Sequence, residues 1–115
     1  MKRLLIVEDS SQFRKLLVDL LHGYYDKIYE CTGGVDVMKA YKKFKPDCVL
    51  MDTQMKKKNA FTVTKQIKTV HPDARVVLMS PYNDPEIDVE ARASGAERAV
   101  LQENLLDLKN IVSHK

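Results

Sequence analysis

Three carboxylates stand where two short apolar runs stop. Leu4-Leu5-Ile6-Val7 is followed at once by Glu8 and Asp9, and Cys48-Val49-Leu50-Met51 is followed at once by Asp52. Short continuous runs of this composition read as buried parallel strands, because strands covered on both faces lose the apolar-polar alternation. In an open α/β sheet the ligand site lies beyond the carboxyl ends of the strands. Neighbouring strands of this kind bring all three acids to one rim. Carboxylates that close repel one another, and a hard divalent cation with oxygen ligands is the usual relief. The chemistry to expect is that of an acidic cluster around such a cation.

The elements that must hold this rim alternate five times between strand and helix. Strands are expected at 3–7, 27–31, 47–51, 75–79 and 98–101, with Asp52 and Ser80 just past the third and fourth. The first helix, about 10–22, carries Phe13, Leu16, Leu17, Leu20 and Leu21 at the spacing of one apolar stripe. Asp9 or Ser10 can cap it, and Gly23 can end it. Gly33-Gly34 opens a second helix with Val35, Met38, Tyr41 and Phe44, which Pro46 stops. A polar loop, 53–59, holds Lys56-Lys57-Lys58 and leads to a third helix, 60–70, burying Phe61, Thr64 and Ile67. Asp84-Pro85 reads as an N-cap with proline at N1 for a fourth, unusually polar helix ending at Gly95. The last helix, about 103–113, uses Leu105, Leu108, Ile111 and Val112. Strict alternation implies a parallel sheet with helices on both faces and right-handed crossovers.

Bulk properties set the remaining bounds. At 115 residues one domain, 1–115, is expected, with no output domain. An excess of 19 basic over 16 acidic residues is too mild to argue for direct nucleic-acid binding. No apolar stretch approaches the about 20 residues of a membrane span, and Glu8 cuts the first apolar run too soon for a signal peptide. A cytoplasmic protein is expected, with Cys31 and Cys48 as buried free thiols. His22 and His71 fall at helix ends, where a cation complements the helix dipole, and the lysines of 39–45 read as an exposed helix face.

From 3 to 112 the chain resembles the receiver domain of bacterial two-component response regulators. The resemblance is carried by Leu-Ile-Val-Glu-Asp-Ser (5–10), Lys-Pro-Asp-Cys-Val-Leu-Met-Asp (45–52), Asp-x-x-Met (52–55), Val-Val-Leu-Met-Ser (76–80) and Gly-Ala (95–96). It implies a doubly wound, flavodoxin-like α/β sheet of strand order 2-1-3-4-5 with five flanking helices. It implies Asp52 as the acceptor of a phosphoryl group from a histidine of a sensor kinase or a phosphotransfer protein. Glu8 and Asp9 would hold Mg²⁺ with Asp52 and the backbone carbonyl of Gln54, and Ser80 would be the switch hydroxyl. It also implies a phosphoacceptor rather than a turnover enzyme, with dimerisation possible through the face of helix 4, strand 5 and helix 5.

The resemblance fails at several positions. Where the family carries a lysine this chain has Gln102, with Glu103 in place of the usual proline. A carboxamide donates only a neutral hydrogen bond, roughly half as strong as a charge-assisted one. Pro81 replaces a residue whose backbone N–H would face the phosphoryl group, and proline has none. Ala99 stands where the family's rotating aromatic belongs. After Asp52, Met55-Lys56 and Asn59-Ala60 replace the usual Met-Pro and Asp-Gly. Two readings stay open on these residues: a phosphorelay receiver, or a pseudo-receiver that binds partners without phosphate. The triple lysine is either a solvated loop or a source of charge that swings toward the phosphoryl group. A haloacid-dehalogenase-like phosphatase is disfavoured by Gln54 where a second acid is needed. A flavodoxin-like nucleotide site is disfavoured by the absence of a Gly-rich loop after strand one.

Overall fold

The computed structural model describes residues 1–114. The chain runs β1 (Arg3–Val7), α1 (Ser11–Leu21), β2 (Lys27–Cys31), a 3₁₀ turn (Gly34–Asp36) leading into α2 (Val37–Phe44), β3 (Cys48–Asp52), α3 (Ala60–Val70), β4 (Val76–Ser80), α4 (Pro85–Ser94), β5 (Arg98–Leu101) and α5 (Leu105–Ser113). Every strand pair is parallel and the order is β2-β1-β3-β4-β5. This is the doubly wound topology that the alternation of elements and the resemblance together imply.

Alternation along the strands splits the core into two layers. Leu5, Val7, Val49, Met51, Val76 and Leu78 face α2, α3 and α4, where Val37, Ala40, Val63, Ile67 and Ala91 meet them. Leu4, Ile6, Cys48, Leu50, Val77 and Met79 face α1 and α5, against Leu17, Leu21, Leu108 and Val112. Every residue of β3 and β4 is buried, which is why these strands read as unbroken apolar runs. Each fully buried Leu, Ile, Val or Met contributes about 1.5–3 kcal/mol relative to its exposed state. That burial holds the strand ends, and thus the rim, in fixed register.

Side-chain caps start the helices at the same rim. Ser10 accepts from the Phe13 N–H, Asn59 from those of Phe61 and Thr62, Asp84 from Glu86 and Asn104 from Asp107. Each such cap stabilises its helix by about 1 kcal/mol. At the opposite end Arg75 donates to the Val112 and Ile111 carbonyls and to Glu97, and Tyr25 donates to the Val112 carbonyl. These bonds tie the end of α5 to the sheet. Nearby, burial pushes the Cys48 thiol up to about 11, so this free cysteine is a packing residue.

Helix periodicity misplaces a few side chains. Leu16 is exposed although it lies on the apolar stripe of α1, because the stripe is wider than the contact with the sheet. Val35 is exposed and Val37 buried, since Gly34–Asp36 winds as a 3₁₀ turn and shifts the phase of α2. Gly23 is no left-handed cap: α1 ends at His22 in right-handed geometry. Lys45 ends α2 in the left-handed region at φ 49°, and Pro46 after it disfavours any continuation of the helix. His71 closes α3 and packs on Tyr41, ring centres 4.5 Å apart.

Gly95 closes α4 at φ 107°, a conformation that L side chains rarely adopt. A Cβ there would also lie 2.8 Å from the Lys68 Cγ. The Lys68 stem has little freedom to retreat, because its ammonium bonds the Pro72 and Ala74 carbonyls. Gly95→Ala is therefore expected to destabilise the fold by about 1–3 kcal/mol, read as a lower urea midpoint at unchanged slope.

Candidate functional site

Pairing of β1 with β3 places Val7 beside Met51, so Glu8, just past β1, and Asp52, at the end of β3, emerge side by side. The ladder continues one step past β1, where the Glu8 N–H bonds the Cys31 carbonyl at 3.0 Å. One oxygen each of Glu8, Asp9 and Asp52 lies within 4.8 Å of the others. The three acids expected from sequence thus meet. Glu8 and Asp52 are buried, at 2% and 5% exposure, and Asp9 is exposed.

The two buried acids are partly satisfied by backbone. Glu8 Oε2 accepts the Ser10 N–H at 3.0 Å, and Asp52 Oδ1 accepts the Gln54 N–H at 2.9 Å. Glu8 Oε1 is buried with no hydrogen-bond partner among the described residues. An orphaned carboxylate oxygen facing two more carboxylates is a donor set that suits a hard cation. Burial pushes the Glu8 carboxyl up to about 8; the Ser10 N–H opposes this, and the neighbouring Asp52 and Asp9 carboxyls add to it. Burial also raises Asp52, opposed by the Gln54 N–H and by the adjacent Glu8 carboxyl, and assisted by the Asp9 charge. Without a cation, the buried Glu8–Asp52 pair binds a proton more tightly than free carboxyls do.

Arg14 braces the cluster from behind, and no motif or periodicity marked it in the sequence. Its Nη1 donates to the Glu8 carbonyl at 2.8 Å and its Nε to Glu30 at 2.8 Å. The guanidinium holds the backbone of the site and leaves the carboxylates unpaired.

The other side of the rim is built by β4 and β5. Ser80 pairs with Leu101, and the Gln102 N–H bonds the Ser80 carbonyl at 2.8 Å. Asp52, Ser80 and Gln102 therefore stand at three successive strand ends. The Ser80 hydroxyl is engaged in a turn: its Oγ accepts the Tyr82 N–H at 3.0 Å and donates to the Tyr82 carbonyl at 3.2 Å. Tyr82 itself is exposed. A cleft of about 210 Å³ opens between Ser80, Tyr82, Ile87, Asp88 and Ala99. The small side chain of Ala99 helps leave this space, and Asp88 accepts the Ala99 N–H at 2.8 Å. A second cleft of about 340 Å³ runs from Asp9 past Thr32 and Val35 to Met55, Lys56 and Lys57.

Comparison with known proteins gives one consistent family. The family described as "Response regulator receiver domain" matches residues 4–112. The chain is 31% identical over 102 residues to the chemotaxis protein CheY of Thermotoga maritima, covering 88% of this chain and 85% of that protein. It superposes with TM-score 0.85 on a CheX–CheY–BeF3–Mg²⁺ complex from Borrelia burgdorferi, at 22% identity, covering 99% of this chain and 90% of that one. It superposes with TM-score 0.88 on the receiver domain of Ssk1, solved with the histidine phosphotransfer protein Ypd1 of Saccharomyces cerevisiae, at 18% identity and 97% and 86% coverage.

The raised Glu8 carboxyl sets a pH dependence. A group that binds its proton more tightly when folded adds stability at low pH. That stability is full below the ordinary 4.5 and lost as pH rises through about 8. Glu8→Gln keeps the oxygen that accepts from Ser10 and removes the titration. In metal-free buffer Glu8→Gln is expected to be more stable than the wild type above pH 8, by up to about 5 kcal/mol, with the difference vanishing below pH 4.5. Urea unfolding across that pH range reads the gap; an equal gap at both ends would assign it to packing instead.

Proposed function

The chain belongs to the response regulator receiver domain family, and we propose that Asp52 is its phosphoacceptor, taking a phosphoryl group from a histidine of a sensor kinase or phosphotransfer protein. The observation that supports this most is the placement of Asp52: buried at the rim, bonded on one oxygen by the Gln54 N–H, and within 4.8 Å of both Glu8 and Asp9. Such an acid is oriented for attack in one direction, and phosphoryl transfer depends mainly on positioning and neutralisation of charge. The intact acid set favours this reading over a phosphate-free interaction module.

Glu8, Asp9 and Asp52, with the backbone carbonyl of Gln54, would hold Mg²⁺, which when bound neutralises charge on the transferring oxygens. An Asp52 carboxylate oxygen attacks phosphorus. The phosphorus–nitrogen bond of the donor phosphohistidine breaks, and its electron pair returns to the imidazole nitrogen. The product is an acyl phosphate on Asp52, one per chain, so the protein is a stoichiometric acceptor rather than a turnover enzyme.

Ser80 is the switch hydroxyl in this reading, one strand end away from Asp52. To bond a phosphoryl oxygen it must leave Tyr82, which frees the start of the β4–α4 loop. Gln102 stands at the β5 end as a neutral donor. The α4–β5–α5 face, with Val89 and Leu106 exposed, is the surface for a second copy of the chain. The Ssk1–Ypd1 complex supports docking of a phosphotransfer protein on a receiver of this fold. Among the described residues no helix is long and apolar enough to cross a membrane, and the free thiols Cys31 and Cys48 fit a cytoplasmic setting.

Incubation with Mg²⁺ and acetyl phosphate is expected to add the mass of one phosphoryl group. The gain should be lost in Asp52→Asn and when a chelator replaces Mg²⁺. No gain at high donor concentration would sink the phosphoacceptor reading.

A further inference from the structure

The charge balance of the site is incomplete on its β5 side. Three carboxylates and a phosphoryl group of about two negative charges exceed one divalent cation by about three charges. Ser80 and Gln102 carry no charge and Pro81 has no N–H. Arg14 is bound to the Glu8 carbonyl and to Glu30. Arg98 lines the separate cleft beside Ser80 and Asp88, and the β3–α3 loop brings cations to the Asp9 side of the site. Lys58 is packed at its base, its Cβ 3.1 Å from where a side chain on Gly34 would begin. Lys56 and Lys57 are exposed, take part in none of the salt bridges among the described residues, and line the cleft whose far wall is Asp9.

We propose that Lys56 and Lys57 supply the positive charge that holds the transferring phosphoryl group at Asp52, entering from the β3–α3 loop across the Asp9 cleft. This rests on the phosphoacceptor reading of Asp52. A lysine suits the task, since its ammonium is a point charge on a flexible four-carbon stem and needs no fixed approach. The ammonium donates hydrogen bonds to phosphoryl oxygens and gives up no proton. With acetyl phosphate as donor, an Asp52 oxygen bonds to phosphorus, the bond from phosphorus to the acetyl oxygen breaks, and its electron pair leaves as acetate. The lysines stabilise the charge on the phosphoryl oxygens throughout. The charge then comes from the side of the site opposite Gln102.

The test compares wild type, K56Q/K57Q, K56R/K57R and K56Q/K57Q/Q102K, each with Mg²⁺ and acetyl phosphate. Labelling rate is read by intact mass and acyl-phosphate lifetime after removal of the donor. A Mg²⁺ titration followed by thermal melting shows that each variant folds and binds the cation alike. K56Q/K57Q is expected to label at least about 10-fold more slowly, the arginine pair to retain most of the rate, and Q102K to restore it by returning one cation to the rim. Wild-type protein that labels while K56Q/K57Q labels equally fast overturns the inference alone. Slow labelling that neither arginine nor Q102K restores also overturns it, since the defect is then not one of charge. Absence of label on the wild type overturns the phosphoacceptor reading and this inference together.

Discussion

Two carboxyl groups that the sheet buries against each other set the terms for the rest of this molecule. Glu8 lies just past β1 and Asp52 ends the paired strand β3, and their burial raises the proton affinity of both. In water two such acids would ionise and separate. Here they cannot separate, because the residues before them are packed on both faces of the sheet at essentially no exposure. Fixed groups of like charge cost stability, and the cost is offset by a core of continuous apolar strands. The same rigidity gives the rim its use. Backbone N–H groups of Ser10 and Gln54 orient one oxygen of each acid, and the unpartnered Glu8 Oε1 keeps an affinity for a cation that the fold itself leaves unmet.

The surrounding elements divide the work around that cluster. Caps at Ser10, Asn59, Asp84 and Asn104 start four helices at the carboxyl end of the sheet, so their positive ends lie on the acidic side. Arg14 holds the Glu8 backbone and pairs with Glu30, leaving the carboxylates of the cluster unneutralised. At the far end Arg75 and Tyr25 secure the end of α5, which keeps β5 and the Gln102 position in line with β4. A local change at the rim is therefore felt against a rigid base, which is what an acceptor needs if its loops are to respond while its strands do not.

Much of this was legible in the chain because strand burial and strand ends leave simple marks. Apolar runs stopping at Glu8, Asp9, Asp52 and Ser80 give both the sheet and the rim, and caps and prolines give the helix starts. What was not legible depends on three-dimensional contact. Periodicity assigns Val35 and Leu16 to the core, but a 3₁₀ turn rotates one outward and the limited contact of α1 exposes the other. Arg14 reaches a carbonyl, and carbonyls carry no sequence signal. The engagement of Ser80 with Tyr82 follows from loop conformation rather than from residue type.

That engagement bears on how a signal leaves the site. The Ser80 hydroxyl exchanges two bonds with the Tyr82 backbone, and bonds of this kind contribute about 1 kcal/mol each. Recruiting Ser80 to a phosphoryl oxygen has to exceed that sum, and a charge-assisted bond to an oxyanion is roughly twice a neutral one. The exchange is thus close to balance, which is the condition for a two-state element that a ligand can tip. Ala99 has no ring to follow such a movement, so in the proposed reading the segment that would respond is that of Tyr82, which lines the same cleft as Ala99. An output carried by loop position rather than by a buried aromatic needs no side chain at position 99 larger than alanine. In the proposed reading, with Asp52 as phosphoacceptor and Ser80 as switch hydroxyl, Ala99 would leave the readout to the β4–α4 loop.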